Sequence, residues 1–220
     1  MKGSHSEIRA GAAAVSPFLI PIAVAAMLFG SLAVAAGLVP LAVVVMSATT
    51  FAGSAQFAAI SVFGEGGSLG ATAVASALLN ARYVAINIPL APALPASRWK
   101  QVLLAQLAVD ESWAIAYRGD GQFSRGRLIG AGLALYSTHV AATAVGVIAG
   151  EVLKSIPTVV VSAALVALFT MLLWPLLRER ESYLAAGVGA LTALVLIPLS
   201  PPGVPLIGAA LTAFLPWKSQ

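Results

Sequence analysis

Between Arg9 and Glu65 not one side chain carries a charge. A run of that length cannot wrap a soluble core, because soluble domains keep roughly a quarter of their residues charged. Of the 220 residues only 9% are charged and 60% are hydrophobic, with a mean hydropathy of +0.96. The bilayer must therefore be the solvent. The expected fold class is all-α, a polytopic membrane helical bundle forming a single membrane domain over residues 1–220. A β-barrel would need alternating strands of about ten residues, and these apolar runs do not alternate.

Several chemistries fall away at once. The chain has no cysteine, which removes disulfides, thiol catalysis and cysteine metal sites. Two histidines, His5 and His139, do not make a metal site, and no cofactor is expected. The pI of about 9.8 does not point to nucleic acid. Its basic residues stand singly at segment ends, where they record membrane orientation.

Residues 1–9 form a polar tail. Apolar segments follow at about Ala10–Ala36, Leu41–Phe63, Leu69–Leu90, Trp99–Tyr117, Leu128–Gly150, Pro157–Leu177, Tyr183–Leu199 and Val204–Pro216. That gives seven or eight hydrophobic segments, some broken or re-entrant. The first outlasts the ~7–15 apolar residues of a cleaved signal and carries Pro17 and Pro21, so a retained span is expected. Trp99–Tyr117 is either a full polar span or a re-entrant helix. With eight crossings, Arg98, Lys100 and Lys154 lie outside and eight basic residues inside. A re-entrant fourth segment moves the N-terminus outside. The loops 118–127 and 178–181 are expected in the cytoplasm either way.

Polar residues at membrane depth carry the functional argument. Written as one helix, Ser47, Thr50, Ser54 and Ser61 share a stripe, with Thr49, Gly53 and Gln56 beside it. Small polar residues also glue helices together in lipid, and the serine stripe fits that plainer role. Gln56 beside Gly53 points further, since a helix broken there would expose backbone dipoles to a solute. Asn80, Tyr83 and Asn87 share a face, while Arg82 points about 200° from Asn80 at ~100° per residue. Either the helix breaks between them or the two have different partners.

Arg82, Asp110 and Glu111 are the candidate charged groups at membrane depth, where desolvation costs at least ~2.5 kcal/mol each. They either pair structurally or supply a titrating carboxyl for proton coupling. His139 reads as a packed, hydrogen-bonded residue. Trp99, Trp174 and Trp217 read as interface anchors, and Trp113 as a pocket wall. A membrane serine hydrolase using Ser54 and His139 lacks a Gly-x-Ser-x-Gly elbow, so no enzyme is expected. A scaffold subunit and a channel for small polar solutes are the remaining alternatives.

Three stretches stand in order: Phe51-Ala52-Gly53-Ser54-Ala55-Gln56-Phe57, Asn80-Ala81-Arg82-Tyr83 and Asp110-Glu111-Ser112-Trp113-Ala114. Together they resemble the AzlC family, the large subunits of two-component branched-chain amino acid exporters. The likeness runs on through Thr143, Gly146 and Gly150. Val109, Trp113 and His139 stand where the family more often has Thr, Phe and Trp. The resemblance implies export of leucine, isoleucine, valine or similar neutral amino acids across a bacterial cytoplasmic membrane. It also implies a small AzlD-type membrane subunit as partner. The substrate-binding candidates are Gly53, Ser54, Gln56, Asn80, Arg82 and Trp113, with Asp110 and Glu111 for proton coupling.

Overall fold

A computed structural model of the chain describes residues 2–95, 97–119, 121–153, 170, 177, 180–200 and 204–212. The expected segment 157–177 and the loop residues Arg178 and Glu179 lie essentially outside that set, as do Trp174 and Trp217.

The frame is a pair of helical columns. The first is α1 (Lys2–Ala14) continuing through Val15, itself in the right-handed helical region, into α2 (Ser16–Ala35), and the second is α9 (Arg125–Leu153). Residues expected as a polar tail are thus helical. Glycines explain how closely the columns pack. A Cβ at Gly130 would strike the Ile8 carbonyl, and one at Gly11 the backbone of Arg127. Further up, Gly146 meets the Met27 backbone and Gly30 that of Thr143. Both sequences climb together, so the columns are parallel. Without a hydrophobic drive between helices in lipid, such small-residue seams supply the packing energy. Ser31 adds a hydroxyl bond to the Gly146 carbonyl at 2.9 Å. Among the described residues, Ser16–Ala35 and Arg125–Gly150 are the helices long and apolar enough to cross a membrane unaided.

Between the columns the chain does something hydropathy does not reveal. Leu41–Phe63 is not one span but two helices, α3 (Pro40–Thr50) and α4 (Gly53–Gly64). Ser47 at the end of α3 meets Thr143, and Phe51 sits against Tyr136 and His139 near the middle of α9. The chain then turns back. Phe57 packs edge-on to Phe29 at 5.9 Å, and Gly64 ends beside Ala36. The hairpin therefore leaves and returns at one face. The supposed serine stripe dissolves with the straight helix.

α5 (Leu69–Asn80), capped by the Ser68 hydroxyl, descends beside α4, and Ser76 donates to the Ala55 carbonyl at 3.1 Å. A slight break at Ala81 leads into α6 (Arg82–Leu90). Leu90 reaches a cluster with Leu128 near the start of α9. α5 and α6 together thus traverse the full depth.

α7 (Arg98–Gln106) climbs again, bringing Leu107 against Gly132, and α8 (Asp110–Ala116) returns to the Leu128 cluster. Trp99–Tyr117 therefore doubles back, as the re-entrant alternative expected, but the start of α1 stays on the face of the 118–127 loop, because Leu41–Phe63 doubles back as well. A short hairpin, β1 (Tyr117–Gly119) with β2 (Gln122–Phe123), follows. There Glu7 pairs with Arg118 and accepts the Ser124 hydroxyl at 3.1 Å, so the start of α1 and this loop share one face. α10 (Arg180–Leu196) and α11 (Val204–Leu211) pack antiparallel, with α11 against α5.

Two re-entrant hairpins alter the bookkeeping of faces. Arg9, Arg98, Lys100, Arg118, Arg125 and Arg127 gather on the face where α1 begins. The opposite turns, 36–39 and 65–68, hold Glu65 and no Lys or Arg. Arg98 and Lys100, expected across the membrane from 118–127, lie on the same side.

Candidate functional site

Each of the three motif stretches falls at a helix break. Phe51 ends α3 in the left-handed region at φ 40°, and Ala52 precedes α4. A bulky residue at positive φ is strained by roughly 1–3 kcal/mol and persists only where its surroundings hold it. Edge contacts to Tyr136 at 5.2 Å and His139 at 5.4 Å hold this one. The second break is Ala81, between Asn80 and Arg82. The third is Leu107–Val109, organised by the fully buried Ser112. Its hydroxyl donates to the Leu107 carbonyl at 2.6 Å and accepts the Val109 N–H at 3.0 Å. Ser112 lies inside the third motif, where a serine's sequence position carries no signal of this backbone-tying role.

Broken helices leave carbonyls without partners, and at membrane depth each must be met by protein or water. Here side chains from other elements meet them. Tyr136 donates to the Ala48 carbonyl at 2.9 Å. Gln106 Nε2 donates to the Thr49 carbonyl at 2.7 Å, so the tip of one hairpin grips the tip of the other.

A cleft of about 220 Å³ lies where the three breaks converge, lined by Thr50, Phe51, Asn80, Tyr83, Ala105, Gln106, Ala108 and Val109. It is smaller than the ~300–1,000 Å³ pockets that take drug-sized ligands, a size suited to a single small solute. Phe51, Tyr83, Ala105, Ala108 and Val109 give it apolar walls. Asn80 gives it an amide whose Oδ1 is buried and has no hydrogen-bond partner. Asn87 Oδ1, two turns along the same face, is likewise buried and unpartnered. Unsatisfied acceptors of this kind call for an explanation, and a donor-bearing ligand is one.

The expected site residues divide accordingly. Asn80 lines the cleft. Gly53 starts α4 at the hairpin tip, and a side chain added there would meet nothing within 4 Å. Ser54 follows it in the first turn of α4. Gln56, 0% exposed, is outside the cleft lining and pairs through Oε1 with His139 Nε2 at 2.9 Å. Its Nε2 is left without a partner. His139 is thereby a buried, hydrogen-bonded residue, as expected of it.

Asp110 and Glu111 open α8, where the helix dipole favours carboxylates; Asp110 is exposed and Glu111 half-buried. The side chain of Arg82 lies outside the described residues. Trp113 does not wall the cleft. It stacks on Tyr117 at 5.6 Å and packs on Phe123 at 5.1 Å, near the loop face. The spacing from 113 to 117 is one helical turn, so this pairing was readable.

An apolar helical frame, two hairpins and a small cleft at their tips are the build of a helical membrane protein. Residues 17–153 match the family model described as AzlC protein, well over half of the 220 residues. The chain belongs to the AzlC family. That family is associated with branched-chain amino acid transport, is not an enzyme family, and works with a partner subunit. No curated protein and no solved structure matches the chain.

Proposed function

We propose that this chain is the large subunit of a secondary transporter that exports branched-chain or similar neutral amino acids from the bacterial cytoplasm. The observation that carries the reading is the convergence of all three motif breaks on one small cleft. A zwitterion with an aliphatic side chain needs an acceptor, an anion site and an apolar wall. Asn80 Oδ1, without a donor of its own, receives the ammonium. The carboxylate goes to the start of α4, where the space beside Gly53 is open and the dipole is favourable. Phe51, Tyr83 and Val109 take the aliphatic side chain.

Asp110 and Glu111, which open α8 directly after the third break, are assigned the coupling proton, because ionisable groups within apolar segments are functional by default. The basic face holding Arg98, Lys100, Arg118, Arg125 and Arg127 is the cytoplasmic one, shared by the start of α1 and the loop 118–127; the loop 178–181 is assigned to the cytoplasm on its charge alone. An AzlD-type small subunit completes the complex.

The test is efflux of preloaded labelled leucine and valine from vesicles, with and without the small subunit co-expressed. Efflux that rises with an imposed proton gradient is expected. Undiminished, still proton-driven efflux in an Asp110→Asn, Glu111→Gln variant would remove the coupling role. No leucine or valine efflux in either preparation would overturn the exporter reading.

A further inference from the structure

We propose that residues 2–64 and 69–116 are two inverted copies of one unit, and that their hairpins are opposing gates latched together by Gln106. The first unit is a crossing, α1–α2, followed by a hairpin, α3–α4, that dips from the far face and returns to it. In the second unit the crossing α5–α6 runs the other way, and the hairpin α7–α8 dips from the N-terminal face and returns there. Every element is reversed, which is the relation produced by a half-turn about an axis in the membrane plane. The two copies share no obvious sequence repeat, so the relation is visible only in the path of the chain.

The geometry gives each hairpin its side. α3–α4 separates the cleft from the face that carries Glu65. α7–α8 separates it from the face carrying the basic residues. Gln106, the last residue of α7, donates to the Thr49 carbonyl near the end of α3. The contact therefore joins corresponding places in the two copies. It is a side-chain to backbone bond at the tips, beside the apolar packing of Phe51 and Val109 in one cluster, so the hairpins can part without unfolding a helix. Gln106 is a positioning residue, holding both gates against the occupied or empty cleft.

This inference rests on the exporter reading for its direction of transport but not for its geometry, and the experiments separate the two. The natural absence of cysteine allows single cysteines to be placed and labelled with a membrane-impermeant maleimide. Leu38→Cys and Glu65→Cys are expected to react from one face, Trp99→Cys and Gln122→Cys from the other. Leu38 and Glu65 on opposite faces would overturn the inverted pair, whatever is transported.

For the latch, Ala105→Cys reports the cleft without any substrate. Adding Gln106→Leu is expected to speed its alkylation several-fold at unchanged accumulation, and Gln106→His, which keeps a donor, to restore the slower rate. In efflux, Gln106→Leu is expected to weaken coupled transport roughly five-fold or more and to raise downhill leak, the weight of one lost hydrogen bond. An unchanged alkylation rate in Gln106→Leu would overturn the latch. Absent leucine efflux in the wild type, with the labelling pattern intact, would count against the exporter reading alone.

Discussion

The seam between the α1–α2 column and α9 and the meeting point of the two hairpins lie only a few side chains apart, yet they are built on opposite rules. At the seam, glycines let backbones touch, and the hydroxyl of Ser31 has a carbonyl to donate to. At the hairpin tips, helices are broken, a phenylalanine is held at positive φ, and the amide oxygen of Asn80 has no partner. The seam is satisfied and closed to change. The tips store strain and unmet polarity, which a passing solute can relieve. On the proposed reading, stability and function are thus placed in different residues of the same bundle.

The sharpest break of that contrast comes from the glycines. Gly130→Val and Gly146→Val place a side chain inside a neighbouring backbone and are expected to cost more than ~4 kcal/mol, enough to abolish folded protein. Gly53→Ala, with open space around it, is expected to accumulate normally. Membrane accumulation and thermal stability in detergent check both. Next comes Asn80→Leu, for which the two regions predict opposite signs. Removing an unsatisfied buried oxygen leaves stability equal or higher, while leucine efflux falls more than about tenfold, the equivalent of ~1.4 kcal/mol.

A smaller effect belongs to the bond between Ser47 and Thr143, 2.8 Å and fully buried. Ser47→Ala is expected to cost about 1 kcal/mol, and the double change with Thr143→Val less than the sum of the singles. Unfolding midpoints of the four proteins decide it. The smallest belongs to Glu7 and Arg118, a partly exposed pair at the loop face. Glu7→Gln is expected to shift stability by less than ~1 kcal/mol, with the difference shrinking further in high salt.

How much of this was legible beforehand follows from what hydropathy measures. It reports that a residue sits among apolar surroundings, not which way the chain is heading. Ala10–Ala36 and Leu128–Gly150 were readable as crossings because a long helix has nowhere else to go. Leu41–Phe63 carries the same signal, yet it enters and leaves by one face. The turn is made at Phe51 and Ala52, residues with no turn signature, while the glycine that drew attention lies just beyond it at the start of α4. Asn80 and Arg82 were legible as a conflict on one straight helix, and a break at Ala81 resolves it. The helical character of residues 2–9 was hidden because their polarity reads as a tail. Its packing partner, Gly130, is more than a hundred residues away. Ser112 was hidden for another reason: a serine's hydroxyl ties backbone only once the break exists.

The claim on which the whole account stands is that the three breaks enclose one path for one solute. Single cysteines at the cleft-lining positions Thr50, Tyr83 and Ala105, one near each break and none replacing the Asn80 amide, allow it to be tested through protection by substrate. Saturating leucine is expected to slow maleimide labelling at all three positions together and to leave Ile148→Cys, exposed on the outer surface of α9, unchanged. Labelling at the three positions that ignores leucine, or protection at one break but not the others, would contradict the account.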